Sequence, residues 1–217
     1  GGVGGRRRGN KRWRDGTGVE KCGGPMLRER EEEGRVGCWR VRGIGKIKEI
    51  RTEGRNVEVR GNGNKRIRKR DEGEYDDIIW ACSGVIRLGF EGRIKQHLSA
   101  EKSLPAVGQG ALGIEIRKGD MDIIRLIEPL VNKKTMNEVC AERAMNSTLE
   151  GGCSVAIGGY ATSNNTEMRL KGMVGNVDSG VILRVEESGD ISKPKVLGEL
   201  VANKLLSMGA KELLNEV

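Results

Sequence analysis

Leu149–Gly159 reads LEGGCSVAIGG. The residues before it keep helical spacing, and those after the two glycines alternate as a strand does. A helix that passes through a glycine pair into a strand sets the class of the C-terminal part of the chain. Cys153 falls in the join. As a small apolar side chain it could fill a core. Among glycines and small neighbours its sulfur could instead be presented to a ligand. Working outward, residues 135–150 carry the clearest helical pattern. Thr135 and Glu138 have the spacing of a capping box, Val139, Cys140 and Ala144 share a face, and Gly151 and Gly152 stand where glycine stops a helix. Downstream, SVAIGGYA, MRLKGMVG and GVILRVEES read as three strands. VLGELVANKLLSMGAKELL, Val196–Leu214, reads as one long amphipathic helix. The expected unit is a small three-stranded sheet covered by two helices.

Upstream, DIIWAC at Asp77–Cys82 is a continuous apolar run of the buried-strand type. NVEVR at Asn56–Arg60 alternates as a short strand, and NKRIRKRDEGEYD between them is polar and can begin as a helix. Strand, helix and strand at this spacing predict a βαβ unit, with SGVIRLGF following as a turn and short helix. In LPAVGQGALGIEIR, Leu104–Arg117, the alternation of Leu112, Ile114 and Ile116 predicts a strand. MDIIRLIEPLV then predicts a helix with Ile123, Ile124 and Ile127 on one face, limited by Pro129. Residues 1–35 are rich in Gly and charge and show neither period, so no stable packing is expected there.

The chain has 217 residues, 36% of them hydrophobic and 3% aromatic, with a formal net charge of +8. The charge is unevenly placed. Residues 1–70 carry 22 Lys and Arg against 9 Asp and Glu, and residues 71–217 carry 17 against 22. The first part is therefore either a grip for an anionic partner or a solvated basic tail. Five cysteines, an odd number without C-x-x-C spacing, argue against a disulfide framework or a metal site. Reduced thiols of a cytoplasmic protein are expected. No apolar run approaches the roughly 18 residues of a membrane span, and no secretory leader pattern occurs. The chain begins at Gly1, so a fragment or processed product is expected. His97 is the one histidine. It reads as an ordinary surface residue, and a Cys-His hydrolase is disfavoured.

Several separated words then agree. ERAMN at Glu142–Asn146, LEGGC at Leu149–Cys153 and IGGYA at Ile157–Ala161 resemble the porphobilinogen deaminase (hydroxymethylbilane synthase) family. So do LPAVGQGALGIEIR, RGN at Arg60–Asn62, GEYD at Gly73–Asp76 and RLG at Arg87–Gly89. The resemblance covers about residues 36–217 and is strongest from Asp71 onward. It implies three α/β domains, of which the first two are periplasmic-binding-protein-like and hold substrate between them. Here residues 36–105 would be the second domain and residues 106–129 a return segment of a partial first. Residues 130–217 would be a small C-terminal α+β domain of three strands and two helices, bearing the cofactor.

The resemblance also implies chemistry. Cys153 would carry a dipyrromethane cofactor through a thioether bond, as a permanent anchor. The flanking glycines would let its first ring approach the backbone. Four porphobilinogen molecules would be condensed head to tail into hydroxymethylbilane, with ammonia lost at each addition, in porphyrin and haem biosynthesis. Every ring bears an acetate and a propionate, and arginine forks suit carboxylates. Arg60, Arg66 and Arg87 fall on such arginines of the family, and Arg42 on one member of an arginine pair. Gln109 and Gly110 would lie beside the cleft. Two departures matter. Where the family has a word like TSSLRR, this chain has CWRVRG after Val36–Gly37, so the second arginine of the pair becomes Gly43. The family's catalytic aspartate, in a word like HSMKD, has no counterpart, and Asp15 has the wrong context. The first domain is expected to be missing or scrambled and activity to be impaired. The other readings are a nucleic-acid-binding module using GGRRRGNKRWR, weakened because only Trp13 is near for stacking, and an inactive relative. A monomer without membrane or nucleic-acid partners is expected.

Overall fold

In the computed structural model the described residues are 17–21, 35–38, 55–58, 61–101, 103–150, 156–176 and 179–215. They form two sheets with helices against them. The first sheet contains β1 (Thr17–Lys21), β2 (Arg35–Cys38), β3 (Arg55–Glu58), β4 (Asp77–Ala81) and β5 (Ile94–Leu98), in the order β3-β2-β4-β1-β5. β2 runs parallel to both β3 and β4, whereas β1 is antiparallel to β4 and β5. α1 (Gly63–Asp71) makes the crossover from β3 to β4, and α2 (Cys82–Arg87) leaves β4 directly. The expected βαβ unit is therefore present, with β2 between its two strands. β4 is central, and Asp77, Ile78 and Ile79 are buried, as its apolar run predicts.

Arg35 already belongs to β2, and the absence of packing expected for residues 1–35 is corrected further by Thr17–Lys21, which is a strand. Its own pattern carries no strand signal. Pairing on both sides, with β4 and with β5, supplies the backbone bonds instead.

α1 is a charged helix that survives through its ends. The Asn62 Oδ1 accepts from the Lys65 N–H at 3.0 Å, and Arg68, Lys69 and Arg70 sit in the last turn, where cations favour the dipole. Both α1 and α2 close with the same pair of bonds. Gly73 donates to the Arg70 carbonyl and Glu74 to that of Lys69, while Gly89 donates to Ile86 and Phe90 to Val85. This closure requires left-handed backbone, which Gly73 (φ +80°) and Gly89 (φ +77°) supply.

The second unit has α4 (Lys133–Thr148), β6 (Ala156–Ser163), β7 (Glu167–Gly175), β8 (Ile182–Asp190), α5 (Pro194–Ser207) and α6 (Ala210–Asn215), preceded by α3 (Met121–Ile127). The sheet order is β6-β7-β8, antiparallel throughout, and α4 and α5 pack on it. Ala141, Met145, Leu149, Leu170, Val201, Ala202 and Leu205 form its core.

Four expectations are corrected here. The buried face of α4 is Glu138, Ala141, Glu142 and Met145, not Val139, Cys140 and Ala144. Its N-cap is Asn132, whose Oδ1 accepts from the Thr135 N–H at 2.9 Å, so Thr135 and Glu138 form no capping box. The helix ends at Leu149, and Glu150 takes the left-handed position (φ +53°); Gly151 and Gly152 lie outside the described residues. The last helix is two, broken at Gly209, whose φ of +96° ends α5.

Residues 111–117 form no strand. Among the described residues they meet no sheet edge, and alternation without a ladder leaves side chains in solvent. Leu112 is 85% exposed, and Ile114, Met121, Ile123, Leu126 and Leu130 are also exposed.

Candidate functional site

α4 and β6 precede and follow Cys153 in the chain. Cys153 itself lies outside the described residues, as do Arg42, Gly43, Arg60 and Asp15. The geometry on either side is well determined by two buried carboxylates. In β6, an edge strand, the N–H groups that do not face β7 need acceptors. Gly159 donates to the Pro105 carbonyl at 3.0 Å, Ala161 to Glu142 Oε1 at 2.8 Å and Ser163 to Glu138 Oε1 at 2.9 Å. The Ser163 hydroxyl also donates to Glu138 Oε1. Glu138 and Glu142 are four apart, so one face of α4 presents both along the strand.

Glu142, wholly buried, has a second role. Its Oε2 accepts from the Gly108 N–H at 2.8 Å. The turn carrying Gln109 and Gly110 is thereby tied to the two elements that flank Cys153. Within that turn the Gln109 N–H donates to the Ala106 carbonyl at 2.9 Å, and the Ala106 N–H donates back to Gln109 Oε1 at 3.2 Å. Leu104 and Pro105 are buried along β6, close enough that a Cβ at Gly158 would stand 3.1 Å from the Leu104 Cβ. Sequence reading named Gln109 and Gly110 but missed Glu138 and Glu142. The available signal was two carboxylates at i, i+4, flanking Ala141 on what is otherwise an apolar face.

The remaining sequence-predicted residues lie on the first sheet. Arg66 is buried on α1, only 7% exposed, and donates from Nε to the Gly61 carbonyl at 2.7 Å. Its Cζ stands 5.7 Å from the centroid of the Trp80 ring. Arg87 is exposed at the end of α2. Nearby, Arg93 makes a two-pronged pair with Asp71, one prong at 3.0 Å. That pair holds the Asp71 carboxyl below its ordinary value. His97 is exposed on β5, as expected, but it is not isolated: its Nδ1 lies 3.3 Å from the buried Cys82 Sγ.

Chemically, the described donor set is cationic and fork-shaped. Two arginines on adjacent short helices, one of them held along an indole face, suit planar anions such as carboxylates. Among the described residues no cluster of three or more His, Cys, Asp or Glu side chains could hold a metal ion. No helix among them is long and apolar enough to cross a membrane.

Comparison with known proteins accounts for this arrangement. Residues 19–125 match the family model described as porphobilinogen deaminase, dipyromethane cofactor binding domain. Residues 136–207 match that described as porphobilinogen deaminase, C-terminal domain. The first match starts at residue 19, inside the unexpected strand β1. A porphobilinogen deaminase of Vesicomyosocius okutanii subsp. Calyptogena okutanii (strain HA) is 50% identical over 182 residues, which are 84% of this chain and 60% of that protein. One of Ruthia magnifica subsp. Calyptogena magnifica is 51% identical over 183 residues, again 84% and 60%. The chain thus spans about 60% of the length of these relatives. With both of its domain models matched in order and half of the aligned residues identical, the chain belongs to the porphobilinogen deaminase family.

Proposed function

We propose that this chain is the cofactor-bearing and carboxylate-binding part of a hydroxymethylbilane synthase. The reaction condenses four porphobilinogen molecules into hydroxymethylbilane, each addition releasing ammonia, in cytoplasmic porphyrin and haem biosynthesis. The observation that carries the reading is the match of residues 19–125 to the cofactor-binding domain of the family. The described donor set fits the group: dipyrromethane bears its charge as acetates and propionates, and Arg66 and Arg87 offer guanidinium forks. Cys153 would hold it by a thioether, and Arg42, Arg60, Arg66 and Arg87 would bind the carboxylates of cofactor and substrate. When bound, the group supplies the terminal pyrrole to which further rings are joined. Gln109 and Gly110 would border the cleft, in a turn anchored by Glu142 to the helix and strand around Cys153.

In this reading residues 36–105, together with strand β1 paired into their sheet, belong to the second, periplasmic-binding-protein-like domain, residues 106–129 to the return segment of the first, and residues 130–217 to the cofactor-attachment domain. The parallel β3-β2-β4 arrangement and the exposed apolar side chains of residues 112–130 support that division. The chain acts as a monomer. The matches favour this reading over a nucleic-acid-binding module.

The test is the mass of the intact chain after exposure to porphobilinogen. An adduct of two pyrrole rings that disappears in Cys153→Ala is expected; an unmodified chain refutes the assignment. The sequence has no word like the family's HSMKD, so no residue is assigned the role of its catalytic aspartate. Turnover, followed by the absorbance of the oxidised tetrapyrrole, is therefore expected to be lower than that of an intact relative by at least about 10²–10³, the usual loss for one missing electrostatic contact. Turnover near the relative's would mean that another carboxylate supplies the role.

A further inference from the structure

Trp80 is a large aromatic side chain that touches both helices carrying Arg66 and Arg87. Its indole passes the first residue of α1: a Cβ at Gly63 would stand 2.3 Å from the Trp80 Cη2 and 2.8 Å from Cζ2. It also touches α2, where a Cβ at Gly84 would lie 3.5 Å from Nε1 and 3.6 Å from Cε2. Position 63 therefore tolerates no side chain while the indole is there, whereas Gly84 is in ordinary contact with it. Each arginine lies three residues beyond one of these glycines, which places it one helical turn along, on the same side. The Arg66 guanidinium then rests 5.7 Å from the ring centroid, and its Nε is spent on the Gly61 carbonyl. A solvated surface arginine samples many rotamers, whereas this one is held by a π face and a carbonyl.

We infer that Trp80 is a positioning residue for carboxylate recognition, orienting the Arg66 guanidinium. The inference rests on the reading of these arginines as ligands of pyrrole carboxylates. It adds that the indole, although not itself a ligand, decides how well the Arg66 fork is presented.

The test is calorimetric titration of the 217-residue chain with porphobilinogen, and with its dimethyl ester, in which both carboxylates are masked. The variants are Arg66→Gln, Trp80→Leu, Trp80→Phe and the Arg66→Gln, Trp80→Leu double. Losing an indole–guanidinium contact that is largely desolvated is expected to weaken binding about tenfold in Trp80→Leu. Trp80→Phe keeps a smaller π face and is expected to weaken binding about two- to threefold. In the Arg66→Gln background, Trp80→Leu should cost nothing further, because its effect passes through Arg66. A merely structural tryptophan would add its cost in both backgrounds, and that additivity overturns the inference. So does unchanged affinity in Trp80→Leu when Arg66→Gln binds weakly, a result that leaves the carboxylate reading standing. If the unaltered chain fails to bind, binds the ester equally well, or binds equally well as Arg66→Gln, the carboxylate reading falls and the inference with it. Should Trp80→Leu not fold by circular dichroism, the same cycle is run with Trp80→Phe, whose two- to threefold loss must likewise vanish beside Arg66→Gln.

Discussion

Replacing Glu142 should loosen both the edge of the second sheet and the Gln109 turn. Its carboxylate is wholly buried and accepts from two backbone N–H groups, Ala161 and Gly108, each at 2.8 Å. Glu142→Ala leaves both donors without this acceptor and removes packed methylenes. A buried donor without an acceptor costs about 1–3 kcal/mol, so the expected loss is about 3–5 kcal/mol, near the upper end for one substitution. Glu142→Gln keeps the volume and one acceptor oxygen but turns its amide NH2, a donor, toward the other N–H, so about 1–3 kcal/mol is expected. Glu199→Gln, on the exposed side of α5, is the control, at less than about 0.5 kcal/mol. Urea unfolding followed by circular dichroism gives these differences. Amide exchange then locates them: the Gly108 and Ala161 N–H groups should lose protection in both Glu142 variants, while the β7–β8 amides keep theirs in Glu142→Gln. If Glu142→Ala were as stable as the unaltered chain, or if those two amides stayed protected, the edge-sealing argument would be refuted.

Gly198→Ala tests the crossing of α4 and α5. Its Cβ would meet the Ala141 carbonyl oxygen at 2.3 Å and the Met145 nitrogen at 2.8 Å, both backbone, so the helices must part. Overpacking outweighs the gain in helix propensity of about 1 kcal/mol, and a net loss of about 1–2 kcal/mol is expected in urea unfolding. Gly189→Ala, whose Cβ would touch only the Leu197 side chain at 3.4 Å, should be nearly neutral; equal effects would contradict the geometry. The Asp71 carboxyl is held below its ordinary value of 3.8 chiefly by the hydrogen bond from Arg93. Because the charged form is favoured in the fold, its contribution is whole above that value and is lost as pH falls below it. For so exposed a pair, Asp71→Asn should cost about 0.2–1 kcal/mol at neutral pH, and the gap should close below about pH 4. A gap that widened in acid would show the sign to be wrong.

Local pattern was enough for much of this protein. The apolar run at Asp77–Cys82 announced a central strand, the three alternating runs after Cys153 announced a small sheet, and the words around LEGGC and VGQG announced the family. These features depend on residues adjacent in the chain, whose periodicity is readable without a partner. Tertiary structure decided what depends on distant edges. Glu138 looked like half of a capping box until β6 was seen to need acceptors for its outward N–H groups, and Glu142 was read only as a letter of the family word ERAMN. Thr17–Lys21 became a strand because β4 and β5 each offered it an edge. Leu112, Ile114 and Ile116 alternate just as well, yet form none, because among the described residues no edge meets them. Trp80 was one letter in a strand, and its close contact with Gly63 exists only because α1 packs over it. A strand or a buried charge is stable only when its hydrogen bonds are completed, and the groups that complete them come from segments far away in the sequence.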